Sequence, residues 1–274
     1  PDWSRAAPNF TAAPMRELFH AMVVDPPGGS LEPLVQEPIE VVETRGVISV
    51  HEPRAGVFVV DTGQNLAGWL RVTAAGKAGT EIRLRYAESL HADGTVDQEN
   101  LRSAQATDTF ILNGSGEQSW EPTFTYHGFR YVEIEGYPGS LTPEAVQVRV
   151  VRSAMPVRGR FNSSDELINA VSDAVLWTES SNVHGVPTDC PQRNERMGWL
   201  NDLAARSEEL VYTFDTSRFL PKWVQDIADT QDHEGAIGDT APYHFGTRPA
   251  DPVSVCYALI PWLLVTHHGD LRTA

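Results

Sequence analysis

Lysine is almost missing from this chain. Lys77 and Lys222 are the only two, and the remaining basic residues are arginines scattered through a sequence of formal charge −16. A protein that tracks phosphates gathers positive charge on one face or in one run, and no such cluster exists here. Nucleic acid is therefore not an expected partner, and the same charge disfavours an anionic membrane surface. Acidity of this kind suits a neutral or cationic small molecule. Cysteine is equally scarce: Cys190 and Cys256 have neither metal-ligand spacing nor the numbers for a disulfide framework. A reduced compartment or free thiols is the expectation. No apolar run approaches the roughly 20 residues of a membrane span, and the start at Pro1 has no signal-peptide pattern. The compartment stays open, with the cytoplasm favoured. Helix-like periodicity is also absent from the first half of the chain.

What is present divides into three stretches. Residues 1–38 are loop-like, with seven prolines, and read as a linker or the remnant of a preceding domain. From 39 to 155, short apolar runs are broken by Gly, Asp and Asn. Strands are expected at 41–42, 56–60, 68–74, 81–87, 107–112 and 131–135. Thr80 to Tyr86 alternates cleanly, with Ile82, Leu84 and Tyr86 on one face. Evenly spaced strands without intervening helices indicate an antiparallel β-sandwich. After Phe161 the period becomes helical. Ser163-Ser-Asp-Glu166 reads as a capping box, and Leu167, Val171, Ala174, Val175 and Thr178 follow at 3.6-residue spacing. Further helices are expected over 200–214, from about 216 through Ile227, and from Pro252 to His268, with Gly269 as C-cap. Two long loops, 183–199 and 231–251, are left over, and loops of that length in a compact domain are usually functional.

The first of these loops carries the chemistry. Residues 187–202 read Pro-Thr-Asp-Cys-Pro-Gln-Arg-Asn-Glu-Arg-Met-Gly-Trp-Leu-Asn-Asp. Two prolines four residues apart exclude regular helix over 187–193. Three carboxylates (Asp189, Glu195, Asp202) sit among two arginines and Trp199. Carboxylates deliver protons and accept from hydroxyls, Arg193 can hold a carboxylate in place, and an indole offers a flat apolar face. That combination suits a sugar site.

The same block, with Val186 before it, resembles the signature of bacterial α-L-rhamnosidases of glycoside hydrolase family 78. The Asp-Thr-Gly-Gln-Asn-Leu-Ala-Gly-Trp stretch (61–69) and Phe-Thr-Tyr-His-Gly-Phe-Arg-Tyr-Val-Glu (124–133) are similar to that family's β-sandwich domain. Gly159-Arg-Phe-Asn-Ser-Ser-Asp resembles the start of its catalytic domain, and Lys222-Trp-Val-Gln-Asp and Ile260-Pro-Trp its later helices. The resemblance implies a β-sandwich over 39–155, followed over 156–274 by the first helices of an (α/α)6 barrel. It also implies inverting release of terminal α-L-rhamnose from a rhamnose-containing glycoside or oligosaccharide, without cofactor or metal. Because such a barrel has twelve helices, the chain is expected to be a truncated piece, inactive by itself. The general base is then expected beyond Ala274.

Carried over residue by residue, the resemblance makes Glu195 the general acid, with Asp189 and Asp202 supplying the negative field that keeps it protonated. It makes Asp189, Arg193, Trp199 and Asp202 substrate-binding. Each also has a plainer reading. Glu195 could simply pair with Arg193 or Arg196, Asp189 could cap a turn, and Arg193 could be a structural ion pair. Trp199 could be core, and Asp202 a carboxylate favoured at a helix N-terminus. The chain departs from the family at Val253-Ser-Val-Cys256, where the family commonly has Trp-Gly-Asp-Ala. Tyr243, His244, Arg248 or Asp251 from the adjacent loop are candidates to make up the loss. Two other functions stay open: a carbohydrate-binding piece without catalysis, and a six-hairpin glycosidase acting on a different sugar. Asp93 to Asp97 superficially suggests calcium but lacks the full ligand loop.

Overall fold

The computed structural model of the chain describes residues 22–26, 28 and 31–273. Two compact units are distinguished, Pro1–Pro33 and Leu34–Ala274. In the first, the described residues form neither helix nor strand, and most of the expected linker lies outside the described residues. Everything below concerns the second.

Its sheet half is one eight-stranded antiparallel sheet ordered β1-β10-β3-β9-β4-β7, with β2 and β8 also paired to β3. The strands are β1 (Ile39–Arg45), β2 (Ser49–Arg54), β3 (Val57–Ala75), β4 (Glu81–Ala87), β7 (Thr107–Ile111), β8 (Glu117–Trp120), β9 (His127–Glu135) and β10 (Val146–Ser153). A separate short hairpin pairs β5 (Ser89–Leu90) with β6 (Val96–Asp97). Alternation drives the arrangement. Along β4, Ile82, Leu84 and Tyr86 are buried while Glu81 and Arg83 lie outward or at the edge. The segments 56–60 and 68–74, expected as two strands, are one strand. The polar residues between them form an irregularity, with register shifting between Asp61 and Leu66 opposite β9. Arg130 holds that bend by a two-pronged contact with Asp61, at 2.9 and 3.0 Å. β3 pairs with β2 and β9 along its first half and with β10 and β8 along its second, so one long strand links the two halves of the sheet. Phe58, Val60, Leu70, Val72, Ile82, Phe129, Val148 and Val150 close one continuous core between them. Strands β2, β8 and β10 and the small hairpin were not singled out from sequence. Asp93 turns out to serve a turn, accepting from the Thr95 amide at 3.0 Å.

Four helices follow: α1 (Glu166–Ser181), α2 (Leu200–Thr213), α3 (Phe219–Ala228) and α4 (Cys256–His268). The expected capping box at Ser163 is displaced. Asp165 is the cap of α1, accepting from the amides of Leu167 and Ile168 at 2.9 and 3.3 Å. A charged acceptor beats a hydroxyl at the positive end of a helix. Ser163 instead exchanges backbone hydrogen bonds with the Asn169 amide. Leu203, Leu210, Phe214, Phe219, Trp223, Ile227, Ile260 and Leu264 form the second core. Trp177 packs against the sheet core instead, beneath the Arg45 guanidinium at 4.9 Å. Gly269 ends α4 in the left-handed conformation (φ 65°), as its sequence position predicts. The neighbouring His268 bonds Thr216 Oγ1 at 2.9 Å rather than the helix carbonyls.

Candidate active site

The loop before α2 is held from two sides. On the helical side it pairs with the second long loop. The Ala241 amide donates to Gly198 O and the Leu200 amide to Asp239 O, both at 2.9 Å. Gly198 is needed for this approach, because a Cβ there would lie 2.2 Å from Ala241 O. The same carbonyl accepts from the buried Trp223 indole at 2.9 Å. On the sheet side the loop rests on β9, where a Cβ at Gly128 would lie 2.8 Å from both Gln192 N and Pro191 Cγ. His184 adds a further tie, donating from Nε2 to Val151 O at 2.8 Å and stacking on Tyr126 at 3.8 Å. Burial lowers its pKa to about 4, so the ring stays neutral.

Glu195 sits at the meeting point of the two halves. Its Oε2 accepts from Arg102 Nη1 at 2.8 Å, a donor brought in from the sheet half. Arg193 Nε lies 3.0 Å from the same oxygen, off the hydrogen-bond axis, as an ion contact. Oε1 accepts from the Trp199 indole at 3.1 Å. Pairing with Arg193 is therefore real, while Arg196 stacks over Tyr126 at 4.2 Å. Asn194, next to Glu195, hydrogen-bonds Ser103, the neighbour of Arg102.

Asp189 does two things. Oδ1 accepts the Met197 amide at 2.7 Å and fixes the turn. Oδ2 is buried and has no hydrogen-bond partner among the described residues, with Arg193 Nη2 at 3.7 Å. Trp199 stands at the N-terminus of α2, its ring edge-on to Phe245 at 5.8 Å. Asp202 lies in the first turn of α2, and burial raises its pKa, with the charge of Asp189 adding to the shift against the pull of Arg206. The Glu195 charge adds to the same shift. Glu195 itself meets cations and an indole N–H.

All five expected residues line one open cleft of about 530 Å³, together with Asp239, Thr247, Asp251 and Val253. Of the four residues named to replace the missing family motif, only Asp251 lines it. Tyr243 carries the Arg248 guanidinium at 4.3 Å, and His244 packs edge-on to Phe245. Cys256 is buried in the helical core. Asp239 was missed from sequence. Its Oδ2 accepts from the Thr247 amide and hydroxyl at 2.8 and 2.7 Å, and its Oδ1 is buried without a partner among the described residues. Arg102 was missed as well.

Asp189, Cys190 and Glu195 bring three candidate ligand atoms within 4.8 Å of one another. They make a poor metal site. Burial, reinforced by Asp189, pushes the Cys190 thiol up to about 11, and arginines already engage Glu195. Glu179 and Arg206 form a largely buried ion pair, and Arg206 Nη2 also reaches the carbonyl of Thr188, the neighbour of Asp189, at 3.2 Å. Burial lifts Glu179 to about 7 despite that partner.

A second cavity of about 390 Å³ adjoins the cleft on its sheet side and shares Arg193 and Glu195 with it. Among the described residues, four non-glycine positions have positive φ: Arg102 (57°), Ala106 (40°), Phe124 (60°) and Arg196 (56°). All four line this cavity or lie within two residues of its lining. Each such conformation costs on the order of 1 kcal/mol.

A β-sheet domain thus leads into helices and loops that line an acidic cleft. Residues 51–152 match the bacterial α-L-rhamnosidase concanavalin-like domain, and 156–274 match the bacterial α-L-rhamnosidase six-hairpin glycosidase domain. The chain belongs to the bacterial α-L-rhamnosidase family. An α-L-rhamnosidase of Streptomyces avermitilis is 40% identical over 238 residues, 86% of this chain and 23% of that protein. One from Formosa agariphila is 36% identical over 222 residues, 80% of this chain and 24% of its own. The chain thus spans about a quarter of the length of these curated relatives. Among solved structures, the α-L-rhamnosidase from Dictyoglumus thermophilum superposes with a TM-score of 0.86 at 42% identity, covering 89% of this chain and 28% of that one. The Streptomyces avermitilis enzyme, complexed with L-rhamnose, gives 0.85 at 39% identity, covering 88% and 23%. No helix among the described residues is long and apolar enough to cross a membrane.

Proposed function

We propose that these residues form the acid half of an inverting glycosidase site that releases terminal α-L-rhamnose. One observation carries this reading. Two buried carboxylate oxygens without hydrogen-bond partners among the described residues, Asp189 Oδ2 (with only the Arg193 ion contact) and Asp239 Oδ1, belong to residues that line the same cleft as Glu195. An unpaired buried acceptor is costly, and a sugar's hydroxyls are donors that would satisfy both. The relatives' shared activity, and the L-rhamnose bound in one of them, support the choice of sugar.

In this scheme Asp189 and Asp239 accept ring hydroxyls and Arg193 holds Glu195 in position. The Trp199 indole braces Oε1 and offers its face to the apolar side of a deoxy sugar. Asp202, with its raised pKa, adds a further hydroxyl contact. Glu195 gives its proton to the departing oxygen. For inversion a second carboxylate must activate water roughly 6.5–9.5 Å away. That base is expected in the part of the longer relatives' catalytic domain that has no counterpart here, so the 274 residues alone would not turn over. Val253 in the cleft, where the family commonly has other residues, favours a second reading: the same chemistry on a different sugar.

The test is Glu195→Gln in the native chain that contains these residues. A general acid contributes in proportion to how badly the leaving oxygen needs a proton, typically about 10²–10⁴-fold. The variant should lose that factor on alkyl or sugar rhamnosides and much less on nitrophenyl rhamnoside. Asp189→Asn should weaken both alike, because it removes a binding contact. An equal Glu195→Gln penalty for good and poor leaving groups would remove Glu195 from the role and move attention to Asp202.

A further inference from the structure

The two oxygens of Glu195 keep different company. Oε2 accepts from Arg102 Nη1 at 2.8 Å and has Arg193 Nε 3.0 Å away. Oε1 meets one neutral donor, the Trp199 indole, at 3.1 Å. A carboxyl carries its acidic proton on one oxygen, and a guanidinium has donors but no lone pair to receive it. A proton on Oε2 would face two cations, whereas Oε1 keeps a lone pair free beside the indole. We propose that Arg102, supplied by the sheet domain, is a positioning residue for Glu195. It holds Oε2 as the unprotonated oxygen and so reserves Oε1 as the one that delivers the proton. This rests on the acid role proposed above. In that step the Oε1 proton passes to the glycosidic oxygen. The bond from that oxygen to the anomeric carbon breaks, its electron pair goes to the leaving oxygen, and water activated by the second carboxylate bonds to the carbon. Glu195 is left a carboxylate, and its new charge is shared with Oε2, where Arg102 already stands. The contact therefore strengthens as the proton leaves.

Three features support this role. The first is anchoring. The segment leading to Arg102 is pinned to the sheet half: Gln98 donates to Tyr86 O at 2.8 Å and accepts from Arg85 at 2.9 Å, Asn100 donates to Glu88 at 2.8 Å, and Leu101 is buried. On the far side Ser103 is bound by Asn194, the neighbour of Glu195. Arg102 thus reaches Glu195 from a fixed base. The second is strain. Arg102 has φ 57° and ψ −117°, backbone that a residue with a side chain avoids. Such conformations persist where the surrounding structure forces them, and they gather at functional sites. The third is what the contact does not do. The Arg102 side chain is 56% exposed, and an ion pair so open to water adds little stability. The backbone strain offsets that little. The pair gains the fold almost nothing, yet it sets a cation on one chosen oxygen of the acid.

The experiment uses the native chain that contains these residues and two substrates: methyl α-L-rhamnoside, whose alkoxide leaves badly, and nitrophenyl α-L-rhamnoside, whose phenolate leaves well. Arg102→Gln should lower kcat on the methyl glycoside by about 10–100-fold, the scale of one charge-assisted hydrogen bond, with KM within about 2-fold. On the nitrophenyl glycoside the loss should stay below about 3-fold. Arg102→Lys should recover part of the rate. Guanidinium ion added to Arg102→Ala should recover part as well, where urea, of the same shape but uncharged, does not. In a Glu195→Gln background Arg102→Gln should add no further loss. Equal losses on both substrates, a rise in KM with kcat unchanged, full additivity with Glu195→Gln, or no loss at all overturns the positioning role. If Glu195→Gln discriminates between the leaving groups and Arg102→Gln does not, Arg102 alone fails. If Glu195→Gln is blind to the leaving group, or the unaltered protein cleaves neither substrate, the acid reading fails and Arg102 falls with it.

Discussion

In β4, Ile82, Leu84 and Tyr86 point inward and Glu81 and Arg83 outward, and the buried apolar residues of the sheet core all come from 58–151, with Trp177 of α1 packed against them. In α1 the opposite is seen. Leu167, Val171, Ala174 and Thr178 of the helix's 3.6-residue stripe are exposed and Val175 is half-buried, and Ile168, Tyr212 on α2 and Trp262 on α4 are exposed as well. The period that identifies a helix says that one face wants a neighbour. It does not say whether that neighbour is among the residues at hand. The sheet satisfies its own pattern, whereas the helices satisfy theirs only in part. What fixes the helical half is its own smaller core and the surface on which it meets the sheet.

That contrast can be broken most forcefully at Trp223. Its indole is fully buried and bonds Ala241 O. Trp223→Ala should cost about 3–5 kcal/mol and fall on the helical half. Urea unfolding followed by a helix-reporting signal should shift to lower denaturant while the sheet signal stays. A common shift of both signals would show that the halves unfold as one. A smaller effect is expected at the seam. Gly128→Val places atoms where Pro191 and Gln192 now rest, at about 1–3 kcal/mol for overpacking. Amide exchange should quicken over residues 189–197 and stay slow along β9, and slow exchange in both would mean that the seam tolerates the bulk. The smallest effect concerns pH. His184 is held neutral with its pKa depressed from the usual 6.5 to about 4. Its contribution is therefore present above 6.5 and is lost as the pH falls from 6.5 towards 4. In His184→Phe, which keeps a ring for Tyr126 to stack on, the fall in melting temperature between pH 7 and 4.5 should be shallower by a few degrees. An unchanged slope would place the acid sensitivity elsewhere.

Much of the architecture was legible where one period dominates. Leu203, Leu210 and Phe214, and then Phe219, Trp223 and Ile227, are inward as their spacing requires. The site loop was legible because its composition fits neither core nor solvated surface. Other features were not. Polar Asp61–Asn65 looks like a turn, and only the distant Arg130 turns it into a bend within one strand. Arg102 lies 93 residues from Glu195, and nothing near it in the chain marks it. Asp165 displaced Ser163 as cap because local competition between two good acceptors is decided by charge and geometry. The outward stripe of α1 has the same origin: sequence states a preference, and distant residues decide whether it is met.

The contact at Gly128 bears on how such a site can change over evolutionary time. A surface made of side chains can be tuned one substitution at a time, each residue adjusting to its neighbour. Here the loop rests on a strand where a side chain is missing, so there is nothing to adjust, only something to add. Together with Arg102 and Ser103, which reach across to Glu195 and Asn194, this makes the sheet domain a poor candidate for exchange between relatives. Recombination that replaced it would have to carry the glycine, the arginine and the serine together. The two domains are then expected to be inherited as a pair.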